Sequence, residues 1–138
     1  YSGKAEKALL ALKELDLVFV HVEAPDEMGH EGNLNGKIKA IEDFDEKVVG
    51  TVFRARKEVG PIRIVVLSDH PTPLCLKTHV ADPSPFAVFS SVEGENQGRG
   101  VSFGETMAAG TGNVISPGHI LMETLIGKWR SFVGKDTG

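Results

Sequence analysis

The sequence has little cysteine, no surplus of positive charge and no long apolar run, and each shortage excludes a class of protein. Cys75 is the single cysteine among 138 residues, so no internal disulfide can form and a reducing compartment is expected. The net charge of −4 argues against general nucleic-acid binding, which depends on a surplus of Lys and Arg. No apolar run approaches the roughly 20 residues that span a bilayer, and Tyr1 opens into polar sequence rather than a secretory signal. We therefore expect a cytoplasmic protein that binds neither a membrane nor nucleic acid.

The segments that are present alternate between helical and strand-like patterns. Amphipathic spacing predicts helices at residues 3–15, from Asn33 or Asn35 to about Val59, at 104–110 and at 116–132. Short apolar runs predict buried strands at 16–22, 62–69 and 86–91. Glycine and polar residues predict a loop at 93–100. This order predicts one α/β domain in which helices flank a largely parallel sheet.

Polar side chains with metal-binding chemistry follow the first two predicted strands. In open α/β sheets, ligands bind beyond the carboxyl ends of the strands. The residues concerned are Asp26 and His30 after the first strand, and Asp69, His70 and His79 after the second. Three of the five histidines thus fall in two loops that should share one edge of the sheet. The pattern indicates a site built from both loops.

The first of these loops, EAPDEMGHEGN, carries a carboxylate and an imidazole four residues apart. If Pro25 begins one helical turn, Asp26 and His30 point the same way, and Gly29 lets the backbone approach its neighbours closely. Such a pair can chelate a divalent metal ion. A solvated acidic loop or a helix N-terminus explains the residues PDE equally well.

The second loop, SDHPTP, is stiffened by its prolines. Pro71 and Pro73 bar the residues before them from helical angles, so His70 and Thr72 should be extended. A stiff scaffold suits a metal site, because part of the ordering cost is met before the ion arrives. The alternative is a simple turn, capped by Asp69, with His70 exposed.

The residues can be sorted into two candidate metal sites. Asp26, His30 and His79 would form a set of two imidazoles and one carboxylate with open positions, which suits Mn, Zn, Co or Fe. Asp69 and His70 would begin a second site, for which two ligands are too few. Two ions about 3.5–4 Å apart are a device for phosphoryl transfer, because they bind the attacking and leaving oxygens together.

At these residues the sequence resembles a known family. The segments DLVFVHVEAPDEMGHEGN, VLSDHPTPL and KTHVADPSPFAVF are similar to the C-terminal part of cofactor-independent phosphoglycerate mutases of the archaeal type. That family belongs to the alkaline phosphatase superfamily, and the resemblance covers nearly the whole chain. It implies an alkaline-phosphatase-like metal-binding domain, of which residues 1–138 would be the C-terminal portion.

The resemblance also implies a reaction and its metal ligands. Members interconvert 2- and 3-phosphoglycerate in glycolysis and gluconeogenesis through a phosphoserine intermediate. Asp26, His30 and His79 match the ligands of one divalent ion, and Asp69 and His70 match two ligands of the other. Manganese is the first expectation for both ions, with magnesium, cobalt or zinc as alternatives. Phosphoglycerate would be the small-molecule partner. Apolar surface left uncovered in a fragment would also allow a homo-oligomer.

The chain departs from the family in what it lacks. The nucleophilic serine and a further aspartate ligand belong to an N-terminal segment, before an inserted substrate-binding domain, and neither has a counterpart here. We therefore expect a fragment that carries no nucleophile, is inactive alone and has the remainder of its own chain as partner. Two alternatives stay open: another phosphoryl- or phosphonate-transferring member of the superfamily, and a non-catalytic metal-binding or scaffold module.

Overall fold

The computed structural model describes residues 1–92, 100 and 102–128. The helices in chain order are α1 (Ser2–Ala11), α2 (Ala24–Glu31), α3 (Leu34–Phe44), α4 (Gly50–Val59), α5 (Glu105–Gly110) and α6 (Leu121–Glu123). The strands are β1 (Arg63–Leu67) and β2 (Phe86–Ser90), and further helical turns lie at Asp45–Val49, Gly118–Ile120 and Thr124–Lys128. Most of the predicted loop at 93–100 and the end of the predicted C-terminal helix, 129–132, lie outside the described residues. No helix within the described part of the chain is long and apolar enough to cross a membrane.

The long predicted helix is confirmed and has a π-helical turn in its middle. Its N-cap is Asn33, whose side-chain oxygen accepts a hydrogen bond from the Gly36 amide at 2.9 Å. Helices α3 and α4 are joined without a break by the π-helical turn Asp45–Val49. The element ends at Gly60, whose φ of 97° is accessible to glycine and strained for other residues.

The sheet differs from the predicted one. Strands β1 and β2 pair antiparallel, with Val65 opposite Val88, and the prediction of a largely parallel sheet is wrong for the described residues. The reason lies in the connection between them. A parallel pair needs a crossover, usually a helix, that carries the chain back to the starting edge. Residues 68–85 contain no helix, so the chain returns directly alongside β1.

The first predicted strand, residues 16–22, does not pair with another strand among the described residues. The run nevertheless alternates like a strand: Val18, Val20 and Val22 are half-buried, whereas Leu17 and Phe19 are exposed. Its β-branched composition therefore sets an extended backbone. A strand in the strict sense also needs a hydrogen-bonded neighbour, which the described residues do not provide.

The core is small and lies mainly between the first helix and the long helical element. Helix α1, in which Ala5 and Ala8 are buried, packs against α4 and the π-helical turn that holds buried Val48. The small alanine side chains let these helices approach closely. The sheet joins this layer where the rings of Phe53 in α4 and Phe89 in β2 meet edge-on, with centroids 4.9 Å apart. Within the described residues, no large side chain is completely buried.

Candidate metal centre

Helix α2 places Asp26 and His30 on one face. Pro25 lies in its first turn, and Gly32 ends it with a φ of 72°. The amide of Asn33 donates to the Met28 carbonyl at 2.9 Å, which closes the C-terminal turn. In this helix the Nε2 atom of His30 lies 3.3 Å from Oδ2 of Asp26. The four-residue spacing therefore brings the carboxylate and the imidazole together, as the sequence indicated.

Residues 69–79 lie directly against this helix. A Cβ atom on Gly29 would come within 2.8 Å of the Thr72 carbonyl oxygen and 2.9 Å of Thr72 Cγ2. Only glycine therefore permits this approach without a shift. The Lys37 ammonium group of α3 donates a hydrogen bond of 2.6 Å to the same carbonyl. The Lys37 side chain thus anchors the second loop to α3.

The loop contact brings the three residues of the first candidate site into one triangle. The Nε2 atoms of His30 and His79 are 3.0 Å apart, and His79 Nε2 lies 3.5 Å from Asp26 Oδ1. With the 3.3 Å contact between His30 Nε2 and Asp26 Oδ2, the three contacts measure 3.0–3.5 Å, and the two imidazoles face different oxygens of the Asp26 carboxylate. Ligands bound tetrahedrally at about 2.0–2.2 Å lie about 3.3–3.6 Å from one another. The donor set therefore suits a small divalent ion, for which the His30 and His79 nitrogens would move apart by a few tenths of an ångström.

The tautomer of His30 is fixed by a backbone carbonyl. Its Nδ1 atom lies 3.0 Å from the Lys77 oxygen, and a carbonyl can only accept, so Nδ1 carries the proton. In a neutral imidazole this leaves the Nε2 lone pair directed at Asp26 and His79. Lys77 has a φ of 53°, the only positive φ among the described non-glycine residues. Its left-handed backbone aims the carbonyl at the ring, and the sequence carried no sign of this.

His70 is adjacent to the same cluster. Its ring stacks on that of His79 with a centroid distance of 3.7 Å. One ligand atom each from Asp26, His70 and His79 all lie within 4.8 Å of one another. Asp26 and His79 therefore belong to both possible triads, and His30 and His70 lie on either side of them. The structure brings the two predicted ligand sets into one continuous group.

Asp69 lies at the edge of this group. Its side chain is 72% exposed, and its Oδ2 atom is 3.5 Å from His70 Nε2. Its Oδ1 atom accepts a hydrogen bond of 3.2 Å from the adjacent His70 amide. The alternative of a turn capped by Asp69 with His70 exposed is not what the structure shows, because Pro71 has no N–H to donate to such a cap and His70 is half-buried. Asp69 and His70 together offer two ligands for a second ion, and further ligands would be needed to complete a site.

The sequence predicts only an extended backbone for Thr72, and the structure gives its side chain a larger part. The residue is 4% exposed, and its hydroxyl donates a hydrogen bond of 2.5 Å to Asp26 Oδ1. This hydrogen bond is the main reason that the pKa of the Asp26 carboxyl is lowered, with nearby imidazoles adding to the effect against partial burial. The carboxylate is thus held in the ionised form that binds cations.

A family model described as the metalloenzyme superfamily matches residues 1–115. The chain is 48% identical over 126 residues to a Geobacter sulfurreducens protein named as a probable 2,3-bisphosphoglycerate-independent phosphoglycerate mutase. It is 56% identical over 90 residues to a Methanosarcina barkeri protein named 2,3-bisphosphoglycerate-independent phosphoglycerate mutase.

The chain spans about a third or less of the length of these relatives. The Geobacter alignment covers 91% of this chain and 31% of the relative, and the Methanosarcina alignment covers 64% and 23%. Among solved structures, the PH0037 protein from Pyrococcus horikoshii is similar, with a TM-score of 0.67 and 28% identity. That match covers 79% of this chain and 32% of the other.

Proposed function

The chain belongs to the metalloenzyme superfamily, and on that premise we propose that it is part of a metal-dependent phosphoglycerate mutase. Residues 1–138 would form the C-terminal part of an alkaline-phosphatase-like metal-binding domain. The names of the relatives from Geobacter and Methanosarcina support this assignment. Their greater length supports a role for this chain as one portion of a larger enzyme.

The observation that carries the proposal is the convergence of potential ligand atoms from Asp26, His30 and His79. Their donor atoms approach within 3.0–3.5 Å. Such atoms repel one another unless a proton or a cation lies between them. A divalent ion held there would supply positive charge that stabilises the charge on transferring phosphoryl oxygens. Manganese is the ion we propose first, with magnesium, cobalt or zinc as alternatives.

Each side chain of the site then has a defined task. Asp26, His30 and His79 would hold one ion, and the Lys77 carbonyl would keep the His30 tautomer that leaves Nε2 free. Asp69 and His70 would contribute to a second ion with ligands from the remainder of the enzyme. The nucleophile that accepts the phosphoryl group from 2- or 3-phosphoglycerate would also come from that remainder.

A chimaera tests the proposal in a complete enzyme. The matching part of the Geobacter relative is replaced by this chain, to which it is 48% identical, and conversion of 3-phosphoglycerate to 2-phosphoglycerate is measured by coupled formation of phosphoenolpyruvate. We expect activity within about tenfold of the unaltered relative and a loss of about 1,000-fold or more for His79→Ala, in line with the size of charge-stabilising terms. The unaltered relative is the positive control, and Lys57→Ala in α4 is the control substitution.

The results separate the proposal from its alternatives. A folded chimaera that binds Mn²⁺ but does not convert phosphoglycerate would favour another phosphoryl- or phosphonate-transferring member. A chimaera that is active and insensitive to His79→Ala would contradict the proposed site. Absence of Mn²⁺ binding by both the chain and the chimaera would favour the alternative of a non-catalytic scaffold module.

A further inference from the structure

A single buried hydroxyl joins the two halves of the candidate metal centre. Thr72 is 4% exposed, although Asp26, His30 and His79 around it are partly or largely open to solvent. Its Oγ1 atom donates to Asp26 Oδ1 at 2.5 Å and lies 3.4 Å from Nδ1 of His70. Asp26 belongs to the first predicted ligand set and His70 to the second. The hydroxyl therefore contacts one member of each set.

The direction of these hydrogen bonds follows from the chemistry of the groups. An ionised carboxylate only accepts, so the one hydroxyl proton of Thr72 is directed at Asp26. The oxygen then presents a lone pair to His70 Nδ1, which must donate to it. A neutral His70 with the proton on Nδ1 keeps Nε2 free for a cation. Nε2 lies 3.5 Å from Asp69 Oδ2, so both donors of the second set then lie side by side.

The backbone of Thr72 is held from two further elements. Its carbonyl accepts the 2.6 Å hydrogen bond from Lys37 of α3, and its carbonyl and methyl group pack on Gly29 of α2. Pro71 and Pro73 restrict the chain on both sides. The hydroxyl therefore has little freedom to turn away from its two partners.

We propose that Thr72 is a positioning residue that sets the tautomer of His70 and the orientation of the Asp26 carboxylate, and so couples the two ligand sets. The tautomer part concerns the metal-free chain alone. The effect on metal affinity rests on the proposed function, because it requires that Asp26 and His70 bind ions.

Two pairs of variants isolate the hydroxyl from the rest of the side chain. The original Thr72 and Thr72→Val have the same shape and differ in the hydroxyl group. Thr72→Ser and Thr72→Ala also differ in the hydroxyl group, and both lack the methyl group. Thr124→Val is the matched control: Thr124 is also buried, and its hydroxyl bonds the Ile120 carbonyl at 3.0 Å in the C-terminal helical segment. Circular dichroism shows which variants fold, and either pair alone measures the hydroxyl.

Calorimetric titration with Mn²⁺ gives the first measurement. Loss of a group that orients a ligand typically costs about 10–100-fold in metal affinity. We expect that loss for Thr72→Val and Thr72→Ala, with Thr72→Ser and Thr124→Val close to the original chain. Equal affinity in all five chains would overturn the coupling. A serine variant as weak as the alanine variant would assign the effect to the methyl group and overturn it too.

Long-range ¹H–¹⁵N spectra of the metal-free chain give the second measurement at fixed neutral pH. We expect the His70 ring to carry its proton on Nδ1 in the original chain and in Thr72→Ser. In Thr72→Val and Thr72→Ala the proton should move to Nε2, because Asp69 Oδ2 is then its nearest acceptor. An unchanged tautomer would overturn the proposal. Should the original chain bind no Mn²⁺, the proposed function fails while the spectra still decide the tautomer.

Discussion

Two regions of the molecule differ in how many of their groups find contacts within the described residues. In the loop cluster, defined here as residues 24–32 and 69–79, side chains and carbonyls from distant positions are bonded to one another. In the apolar run of residues 16–22, Phe19 is 80% exposed. Within the described part of the chain, the backbone of this run has one hydrogen bond, which Lys4 Nζ donates to the His21 carbonyl.

The two regions depend on different partners. The loop cluster finds its contacts within the described residues, so its geometry should persist in the chain alone. The apolar run has an alternating pattern with apolar residues on the exposed face as well. A strand of that composition is stable when both faces are covered. Its stability should therefore respond to what surrounds it, whereas that of the loop cluster should respond to substitutions inside it.

Metal binding in the loop cluster is expected to give the largest effect on stability. An ion that binds only the folded chain stabilises it by about 2.7 kcal/mol at a free concentration 100 times its Kd. We expect Mn²⁺ to raise the melting temperature of the original chain and to leave that of Asp26→Ala unchanged. Acidification should reduce the gain, because metal binding requires deprotonated ligands and releases protons. Differential scanning calorimetry with and without Mn²⁺ measures it, and equal shifts in both chains would contradict the site.

Gly29→Ala tests how tightly the loop cluster is packed. The added methyl group would meet the Thr72 carbonyl at 2.8 Å, so α2 must move away from the second loop. Overpacking of this kind costs about 1–3 kcal/mol. Gly3→Ala in α1 is the control, since a Cβ there meets nothing within 4 Å and alanine favours the helix by up to about 1 kcal/mol. Urea unfolding compares them, and a neutral Gly29→Ala would mean that the two loops are not in close contact.

Two substitutions in the apolar run test which of its side chains contribute to stability. Phe19→Thr removes an exposed ring, so the free energy of unfolding should change by no more than about 0.5 kcal/mol, while self-association falls. Val20→Thr replaces a half-buried methyl group with a hydroxyl and should cost more than Phe19→Thr. Urea unfolding and sedimentation velocity measure both quantities. The reverse order of stabilities would show that Phe19 is covered in solution.

The smallest expected effect comes from an ion-pair network away from both regions. Hydrogen bonds from Lys39 and then Lys47 hold the pKa of the Asp43 carboxyl below its ordinary value of 3.8. Ionised Asp43 therefore stabilises the fold above about pH 4, and this contribution is lost as the pH falls through the lowered pKa. Asp43→Asn should lower stability slightly at pH 7 and leave it unchanged near pH 2. Asp45→Asn is the control in the same helix, and equal effects of both at pH 7 would discount the network.

The sequence predicted those features that are encoded locally. The Asn33 cap, the stop at Gly60 and the shared face of Asp26 and His30 each depend on a few consecutive residues. The pairing of 16–22 and the direction of β2 could not be predicted in this way, because both depend on where distant segments lie. The same holds for the orienting groups of the candidate site. The Thr72 hydroxyl and the Lys77 carbonyl acquire their tasks only when the second loop is folded against α2.

The π-helical turn at Asp45–Val49 sets how far α4 is rotated about the helix axis relative to α3. Such a turn accommodates one more residue than an α-helical turn, and each residue rotates an α-helix by about 100°. If the same residues wound as an uninterrupted α-helix, α4 would be rotated by about that angle relative to α3. Lys37 would still reach Thr72, whereas Phe53 would leave its contact with Phe89. The π-helical turn thus lets α4 face the sheet while α3 faces the second loop.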